Sequence, residues 1–335
     1  MYERMPKDTL LSPRRPIALI TLFLLVFAFP TAKDLLFAQA KEKEKIVVEH
    51  IILEDYDGKH LSHPSGLFHD SFRRETYVVD SGNSRILIYA YDFFPLLSIA
   101  MTDGVKYPVA VTLDSEGNLF VTQSSTKKYP RGRLSVLNAN LRWERDILFE
   151  DFEGADNFTP YNIVYHKDGF LYVTGKDYPG VVVLDKDGHF SRLLTPVDSF
   201  AGETKKALIR DVEIDDFGKI YLLSQEMGRI YVYDTQGNFL LKFGQKGGGP
   251  GKLSRPNGLA VDSHGKRVYV VDYMRHTILV YSMEGKFLFE FGGLGWAKGW
   301  LQFPSDICTD REGKILVADT FNNRVQVFKT VPLRQ

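Results

Sequence analysis

Short apolar segments, separated by turns that contain glycine, recur along the chain from residue 46 onward. One strand of each predicted unit is apolar nearly throughout, as in residues 119–122 (LFVT), which is expected of a strand buried on both faces. The strand after it alternates in polarity, as in residues 324–328 (RVQVF). Turns such as residues 114–117 (DSEG) separate the strands, because glycine supplies the positive φ that they need. No helical period appears after Ala40, so the pattern predicts an all-β chain.

These segments belong to an internal repeat that begins at an anchor position, usually proline, with glycine nine residues later. Pro108 with Gly117 and Pro256 with Gly265 are examples, whereas Ile209 replaces the proline in the fourth unit. The six anchor positions are residues 64, 108, 160, 209, 256 and 304, with spacings between 44 and 52 residues. Four-stranded units with this spacing predict a six-bladed β-propeller.

The two ends of the repeat array complement each other. The last unit ends near Lys329 without a fourth strand, and the apolar residues 46–53 (IVVEHIIL) precede the first unit without a unit of their own. We expect residues 46–53 to form the outer strand of the last blade, because closing the ring removes exposed strand edges. The predicted propeller therefore spans residues 46–329, followed by a tail of residues 330–335.

The first, fifth and sixth units resemble the NHL-repeat family strongly, and the second to fourth resemble it more weakly. Residues 80–86 (DSGNSRI) and 319–325 (DTFNNRV) match the family motif, as does the link formed by Phe243, Gly244 and residues 247–251 (GGGPG). The resemblance covers about residues 46–329 and implies a six-bladed propeller. It does not imply one activity, because that family includes protein- and RNA-binding modules, sensor domains and a few enzymes.

The N-terminal 40 residues have the pattern of an export signal. A flank that contains Arg14 and Arg15 precedes thirteen apolar residues at 17–29, and Ala38-Gln39-Ala40 supplies a cleavage site before Lys41. The apolar run is shorter than the 20 or so residues that a membrane-spanning helix needs. Residues 30–40 are long for the end of a signal peptide, so an uncleaved membrane anchor is the alternative. Both predict an extracytoplasmic protein, with residues 41–45 (KEKEK) as a charged spacer.

Composition narrows the classes of function. Lys plus Arg and Asp plus Glu number 42 each, and this zero net charge argues against a nucleic-acid-binding protein. The single cysteine, Cys308, excludes a disulfide framework and a cysteine-based zinc cluster. Hydrophobic residues make up 44% of the chain, enough for a sizeable core. We therefore expect a globular monomer whose partner is a protein or a small ligand.

The direction of the strands separates two faces of the propeller. The loops between second and third strands and the links between blades share the long-loop face, and the remaining short turns share the short-turn face. Long loops on a rigid scaffold tend to carry function, so we expect binding on the long-loop face. Its candidate residues, predicted to be exposed, are Lys127, Lys128, Tyr129, Arg131, Arg133, Tyr178, Arg275, His276, Trp296 and Trp300. Alternatively, the tryptophans pack under their own loop and the Lys and Arg residues form a solvated insertion.

A second set of polar residues follows the anchor positions near the predicted channel mouth. Some six-bladed propellers similar to this one hold Ca²⁺ or another divalent ion there, and Asn162, Asp211, Asn257 and Asp306 are the candidate oxygen ligands. Val109, Ala110 and Arg210 at equivalent positions weaken a continuous ring of ligands. For Asp80 and Asp319 we expect a structural role, accepting backbone N–H bonds and pairing with the arginine five residues later.

Two functions follow from these patterns. The leading hypothesis is an exported, non-enzymatic binding or scaffold module with no cofactor. The alternative is a metal-dependent lactonase- or esterase-like hydrolase that uses the four candidate metal ligands. A zinc lyase with three histidines on the metal is disfavoured, because His166, His189 and His264 fall in the short turns, away from the channel mouth.

N-terminal sequencing of protein recovered from secreted, periplasmic and membrane fractions tests the export signal. Cleavage predicts a chain that begins at Lys41, and anchoring predicts an intact N-terminus in the membrane fraction. A cytosolic chain that begins at Met1 would contradict both forms of the hypothesis.

Overall fold

A computed structural model describes residues 44–100, 104–200 and 202–333. This part of the chain forms six four-stranded antiparallel sheets and one two-stranded hairpin, so the predicted six-bladed propeller is confirmed. No helix in these ranges is long and apolar enough to cross a membrane. The export signal predicted for residues 1–40 lies outside the described residues.

The strands fall into blades in chain order. Blade 1 contains β2 (Pro64–Asp70), β3 (Glu75–Asp80), β4 (Arg85–Tyr89) and β5 (Pro95–Ile99). Blade 2 contains β6 (Pro108–Leu113), β7 (Leu119–Gln123), β8 (Arg133–Leu137) and β9 (Trp143–Leu148). Blade 3 contains β10 (Pro160–Tyr165), β11 (Phe170–Gly175), β12 (Val181–Asp185) and β13 (Phe190–Leu194). Blade 4 contains β16 (Asp211–Ile214), β17 (Ile220–Ser224), β18 (Arg229–Tyr233) and β19 (Phe239–Phe243). Blade 5 contains β20 (Pro256–Asp262), β21 (Arg267–Asp272), β22 (Thr277–Ser282) and β23 (Phe287–Gly292). Blade 6 contains β24 (Asp306–Thr309), β25 (Ile315–Asp319), β26 (Arg324–Pro332) and β1 (Glu44–Ile52). The three 3-10 helices of the described ranges are Ser81–Asn83, Ala155–Asn157 and Thr320–Asn322.

Aspartate side chains shape the short turns of the repeat. The Asp114 carboxylate accepts the backbone N–H groups of Glu116 and Asn118 at 2.9 and 2.8 Å, while Gly117 has a φ of 90°. Asp215 accepts two backbone N–H groups in the same pattern in blade 4. The predicted D-x-x-G turns are thus Asx turns, in which the aspartate side chain accepts hydrogen bonds from the backbone N–H groups of its own turn.

The hydrophobic core lies between neighbouring blades. Between blades 3 and 4, Tyr172 packs with Val212 and Leu222, and each of the three is fully buried. The Tyr172 hydroxyl reaches the Asp168 carboxylate at 2.7 Å, which satisfies the polar end of a buried aromatic side chain. Since every blade packs against two others, the stability of the fold depends on a closed ring.

Strand β1 closes that ring, as the sequence predicts. It pairs antiparallel with β26 from Glu44 opposite Pro332 to Ile52 opposite Val325, with an irregularity between Val48 and His50. The pairing extends two residues before the predicted segment and into residues 330–332 of the predicted tail. Ile52 is only 2% exposed and belongs to a cluster that joins blade 1 to blade 6.

One hairpin was not predicted from the sequence. Strands β14 (Val197–Phe200) and β15 (Glu203–Lys206) lie in the link between blades 3 and 4. The buried Asp198 carboxylate fixes β14 to blade 4, where it accepts from Lys242 Nζ at 2.6 Å and from the Tyr231 hydroxyl at 3.0 Å. The link is therefore an ordered part of the long-loop face.

Replacing Ile52 with alanine tests the closure of the ring by β1. We expect Ile52→Ala to lower the free energy of unfolding by about 2–5 kcal/mol, because it leaves a cavity between blades 1 and 6. Leu53→Ala is the matched control, since Leu53 is 45% exposed and its loss should cost less than about 0.5 kcal/mol. Urea denaturation measures both, and equal stability of the two variants would contradict the role given to β1.

Candidate functional site

The inner strands of the six blades surround the central channel. Each inner strand contacts the inner strand of the next blade, including β24 with β2 across the closure. Glycine allows the closest approach: a Cβ added to Gly258 would lie 2.9 Å from the Asp306 backbone, and one added to Gly66 would lie 2.6 Å from the Val109 carbonyl oxygen. The glycine two residues after the anchor position is therefore required by the packing of neighbouring blades in these two units.

Two buried carboxylates connect the blades around the channel. Asp211 accepts from its neighbour, the Val212 N–H, at 2.8 Å and from the Leu259 N–H of blade 5 at 2.6 Å. Asp306 accepts from the Leu67 N–H of blade 1 at 2.7 Å. Each carboxylate thus carries a hydrogen bond from its own blade to the next, and we call Asp211 and Asp306 the interblade carboxylates.

The asparagines of the predicted metal set also have protein partners. Asn162 donates to Asp211 and accepts from the Ile163 N–H at 2.7 Å. Asn257 donates to the Ser305 carbonyl at 2.6 Å and accepts from Arg210 Nε at 3.0 Å. The structure therefore brings Asn162 and Asp211 together, but it does not make a ring of free oxygens. Within the described ranges, no group of three or more His, Cys, Asp or Glu residues is arranged to hold a metal ion. The calcium site at these four residues stays a prediction.

Burial changes the proton affinity of the acids in the channel. It raises the pKa of Glu213 to about 8 and that of Asp306 to about 7. Burial also raises the pKa of Asp211, and the negative charges of Asp306 and Glu213 raise it further. The charge of the channel therefore depends on pH.

A polar contact of three blades lies beside these acids. The Arg210 guanidinium carbon lies 3.4 Å from the centroid of the Tyr161 ring. Asn257 joins the pair by accepting from Arg210 Nε and donating to the Tyr161 hydroxyl at 3.3 Å. Blades 3, 4 and 5 contribute one residue each, so Arg210 is held in one orientation at the channel mouth.

Arg210 also lines a cavity of about 540 Å³ on the long-loop face, which we call the Arg210 cavity. Its other polar lining residues are Asp177, Gln225, Glu226, Lys246, Ser254 and Arg255. Sequence reasoning missed this site. The available signal was Arg210 itself, a charged residue one position after an anchor position, where the other units carry Ser, Val, Tyr or Asn.

The loop at residues 123–133 is partly exposed and partly structural. Lys127 and Lys128 are exposed, as predicted, while Tyr129 is half-buried with the Arg133 guanidinium 4.2 Å from its ring centroid. Arg131 donates to the Phe149 carbonyl and lies 3.4 Å from Asp156. Arg133 is only 2% exposed and pairs with Asp146 at 3.2 Å, so its predicted exposure is wrong.

The candidates of blades 3 and 5 mostly support their own loops. Arg275 binds both oxygens of Glu290, at 3.0 and 2.6 Å. His276 is 8% exposed and its Nδ1 accepts from the Phe303 N–H at 2.9 Å, so its predicted exposure is also wrong. The half-buried Tyr178 donates to the Glu153 carbonyl at 2.9 Å.

The two tryptophans of the predicted surface differ from each other. Trp300 lies against its own loop, where a Cβ added to Gly293 would meet its ring at 2.8 Å. Trp296 is 84% exposed, which is high for a large aromatic side chain. Trp300 therefore packs against its loop on one side but is still 49% exposed, so both tryptophans are exposed, as predicted.

The structural role predicted for Asp80 and Asp319 is confirmed. Both are fully buried, and each accepts from the Nε of the arginine five residues later at 2.7 Å. Their backbone donors, the N–H groups of Ser62 and Gln302, lie in the link before the blade rather than in the loop after it. These pairs attach each link to its blade.

Comparison with protein families agrees with this architecture. Residues 177–291 match a family described as a 6-bladed beta-propeller, and residues 301–328 match the NHL repeat. The resemblance to NHL repeats seen in the sequence is thus confirmed in the last blade. A search of curated proteins finds no match.

Solved structures with the same fold have different functions. An auxiliary nutrient binding protein from Bacteroides ovatus ATCC 8483 is 14% identical with a TM-score of 0.63, over 86% of this chain and 78% of the other. A protein of the same description from Bacteroides thetaiotaomicron VPI-5482 is 13% identical with a TM-score of 0.60, over 86% and 77%. Virginiamycin B lyase from Staphylococcus aureus is 12% identical with a TM-score of 0.57, over 86% and 99%. At these identities the comparisons establish the fold.

The acids of the channel predict a pH dependence of stability. A carboxyl whose pKa is higher in the folded chain binds its proton more tightly there. The ordinary pKa of a glutamate is 4.5, and that of Glu213 is about 8 in the folded chain. The stabilisation by protonated Glu213 is therefore complete below pH 4.5 and is lost as the pH rises through about 8. We expect Glu213→Gln to remain neutral and to be more stable than the unchanged protein above pH 8.

Urea denaturation across this pH range measures the effect, with Glu116→Gln on an exposed turn as the control. In Glu116→Gln, the free energy of unfolding should change with pH as it does in the unchanged protein. The same pH dependence in Glu213→Gln would contradict the raised pKa of Glu213.

Proposed function

We propose that the protein is an exported, non-enzymatic binding module whose long-loop face receives a small ligand or a partner protein. The observation that carries this proposal is the distribution of polar groups. Asp211 and Asp306 in the channel are occupied by hydrogen bonds of the fold, whereas the Arg210 cavity is lined by basic side chains that have no ion-pair partner in the described part of the chain. Cavities of about 300–1,000 Å³ are typical of small-molecule sites.

Two further observations support the proposal. The basic flank and apolar run of residues 1–40 are typical of export. Two of the proteins with the same fold are described as auxiliary nutrient binding proteins, a function that needs a ligand site and no catalytic group.

A partner protein would find its anchors on the same face. Trp296 is 84% exposed in the link between blades 5 and 6, and the exposed Lys127 and Lys128 extend from the β7–β8 loop of blade 2 on the same face. Tryptophan is enriched among the residues that dominate binding energy in protein interfaces, because it buries a large area at a low cost in conformational entropy.

The metal-dependent hydrolase is less well supported. The Asp211 carboxylate accepts three hydrogen bonds, from Asn162 and from the Val212 and Leu259 N–H groups, so the fold uses most of its acceptor positions, and a Ca²⁺ ligand needs a free lone pair. Bound calcium together with an esterase activity that is lost in Asp211→Ala would favour the hydrolase instead.

Capture of partners from the extracytoplasmic fraction tests the choice of face. We expect Trp296→Ala to weaken binding of the captured partner about fivefold or more, because loss of an aromatic anchor that dominates an interface costs more than about 1 kcal/mol. Phe72→Ala is the matched control, since Phe72 is 87% exposed and lies on the short-turn face. Loss of the partner in Phe72→Ala with full retention in Trp296→Ala would contradict the assignment.

A further inference from the structure

Three cations line the Arg210 cavity without a carboxylate partner. Arg210, Lys246 and Arg255 make no ion pair with any residue of the described ranges, and all three line the cavity. Arg275 of the same face differs from them, because it is paired with Glu290. Arg192 is also half-buried without an ion pair in the described part of the chain, but its guanidinium donates to the Tyr172 hydroxyl and to the Thr235 carbonyl.

Arg210 is both fixed in position and incompletely bonded. Its Nε donates to Asn257 and its guanidinium carbon lies over the Tyr161 ring, 3.4 Å from the ring centroid, and these two contacts fix the guanidinium. Its two terminal amino groups donate to no described residue, and neither is sealed from solvent. A fixed guanidinium with two free donors matches the geometry of a carboxylate or phosphate group.

The other cavity residues complete this environment. Lys246 Nζ donates to the Gln225 carbonyl at 2.8 Å and has further donors free. Arg255 is exposed, and its guanidinium lies 5.6 Å from the Tyr273 ring centroid. Of the two acids that line the cavity, Glu226 is paired with Lys205 at 2.5 Å, which leaves Asp177 as the one without an ion pair in the described part of the chain. Positive charge is therefore in excess.

We propose that the Arg210 cavity binds a small anion through a carboxylate or phosphate group held by the terminal amino groups of Arg210. Lys246 and Arg255 supply additional positive charge, and the polar side chains of Gln225 and Ser254 contact the uncharged part of the ligand. This inference rests on the proposed function and names the chemical class of its small ligand. The volume of about 540 Å³ suits a molecule the size of a sugar acid or sugar phosphate.

Isothermal titration calorimetry of the full chain tests the inference with three probes: glucose, glucuronate and glucose 6-phosphate. Glucose and glucuronate differ only in the carboxylate that replaces one hydroxymethyl group. We expect at least one anionic sugar to bind and glucose not to bind. Raising the ionic strength should weaken binding, because the partly exposed cations are screened.

Substitutions then locate the site. Arg210→Gln and Lys246→Gln should each weaken binding of the anionic sugar by about tenfold or more, which corresponds to about 1.4 kcal/mol. Lys246 is exposed, so Lys246→Gln should fold. It therefore still tests the site if Arg210→Gln does not fold. Lys298→Gln is the matched control, because it removes an exposed lysine of the same face outside the cavity.

The outcomes separate this inference from the proposed function. Binding of glucuronate alone or glucose 6-phosphate alone identifies which anionic group the site accepts, and either result supports the inference. If glucose binds as tightly as the anionic sugars, the inference of anion recognition is overturned, although the cavity remains a small-ligand site. Failure of both anions, or anion binding that Lys246→Gln leaves unchanged, overturns the inference. The partner capture with Trp296→Ala then decides independently whether the long-loop face binds at all.

Discussion

Hydrogen bonds that pass from blade to blade at buried carboxylates constrain the whole propeller. Asp211 and Asp306 each accept a backbone N–H from the next inner strand, at a place where an unpaired charge would be costly. The closely packed glycines and the raised pKa of Glu213 arise from the same crowding around the channel. Because the fold uses the polar groups around the channel in this way, we propose the long-loop face as the binding surface.

Two adjacent residues at the start of blade 4 connect the ring of blades with the cavity. Asp211 joins blade 4 to blade 5, and the residue before it, Arg210, lines the cavity. Adjacent residues of an extended chain point in opposite directions, so one dipeptide serves the ring and the site together. The contact of Arg210 with Tyr161 and Asn257 makes its orientation depend on three blades. A ligand in the cavity would therefore contact a rigid part of the fold.

The sequence predicts the parts of this structure that repeat locally. Blade number, the aspartate turns and the pairing of Asp80 with Arg85 follow from patterns within about 50 residues, and the leftover segment 46–53 reveals the closure. The cavity does not follow, because its residues come from three blades and no repeat relates them. The burial of Arg133 and His276 was missed for another reason. It depends on individual side-chain contacts, with Asp146 of the adjacent strand and with the Phe303 N–H of the following link, which the repeat pattern does not specify. Hydrophobic periodicity predicts on which face of its sheet a strand residue lies, but it does not predict which residues of other strands and blades contact it.

Hydrogen exchange of the full chain, followed by mass spectrometry with and without glucuronate, tests the central claim that ligand binding belongs to the Arg210 cavity. The account predicts slower exchange in peptides that contain Arg210, Gln225 and residues 246–255, with unchanged exchange in the short turns at 114–118 and 215–219. Protection of those short turns, or no protection around the cavity, would contradict it.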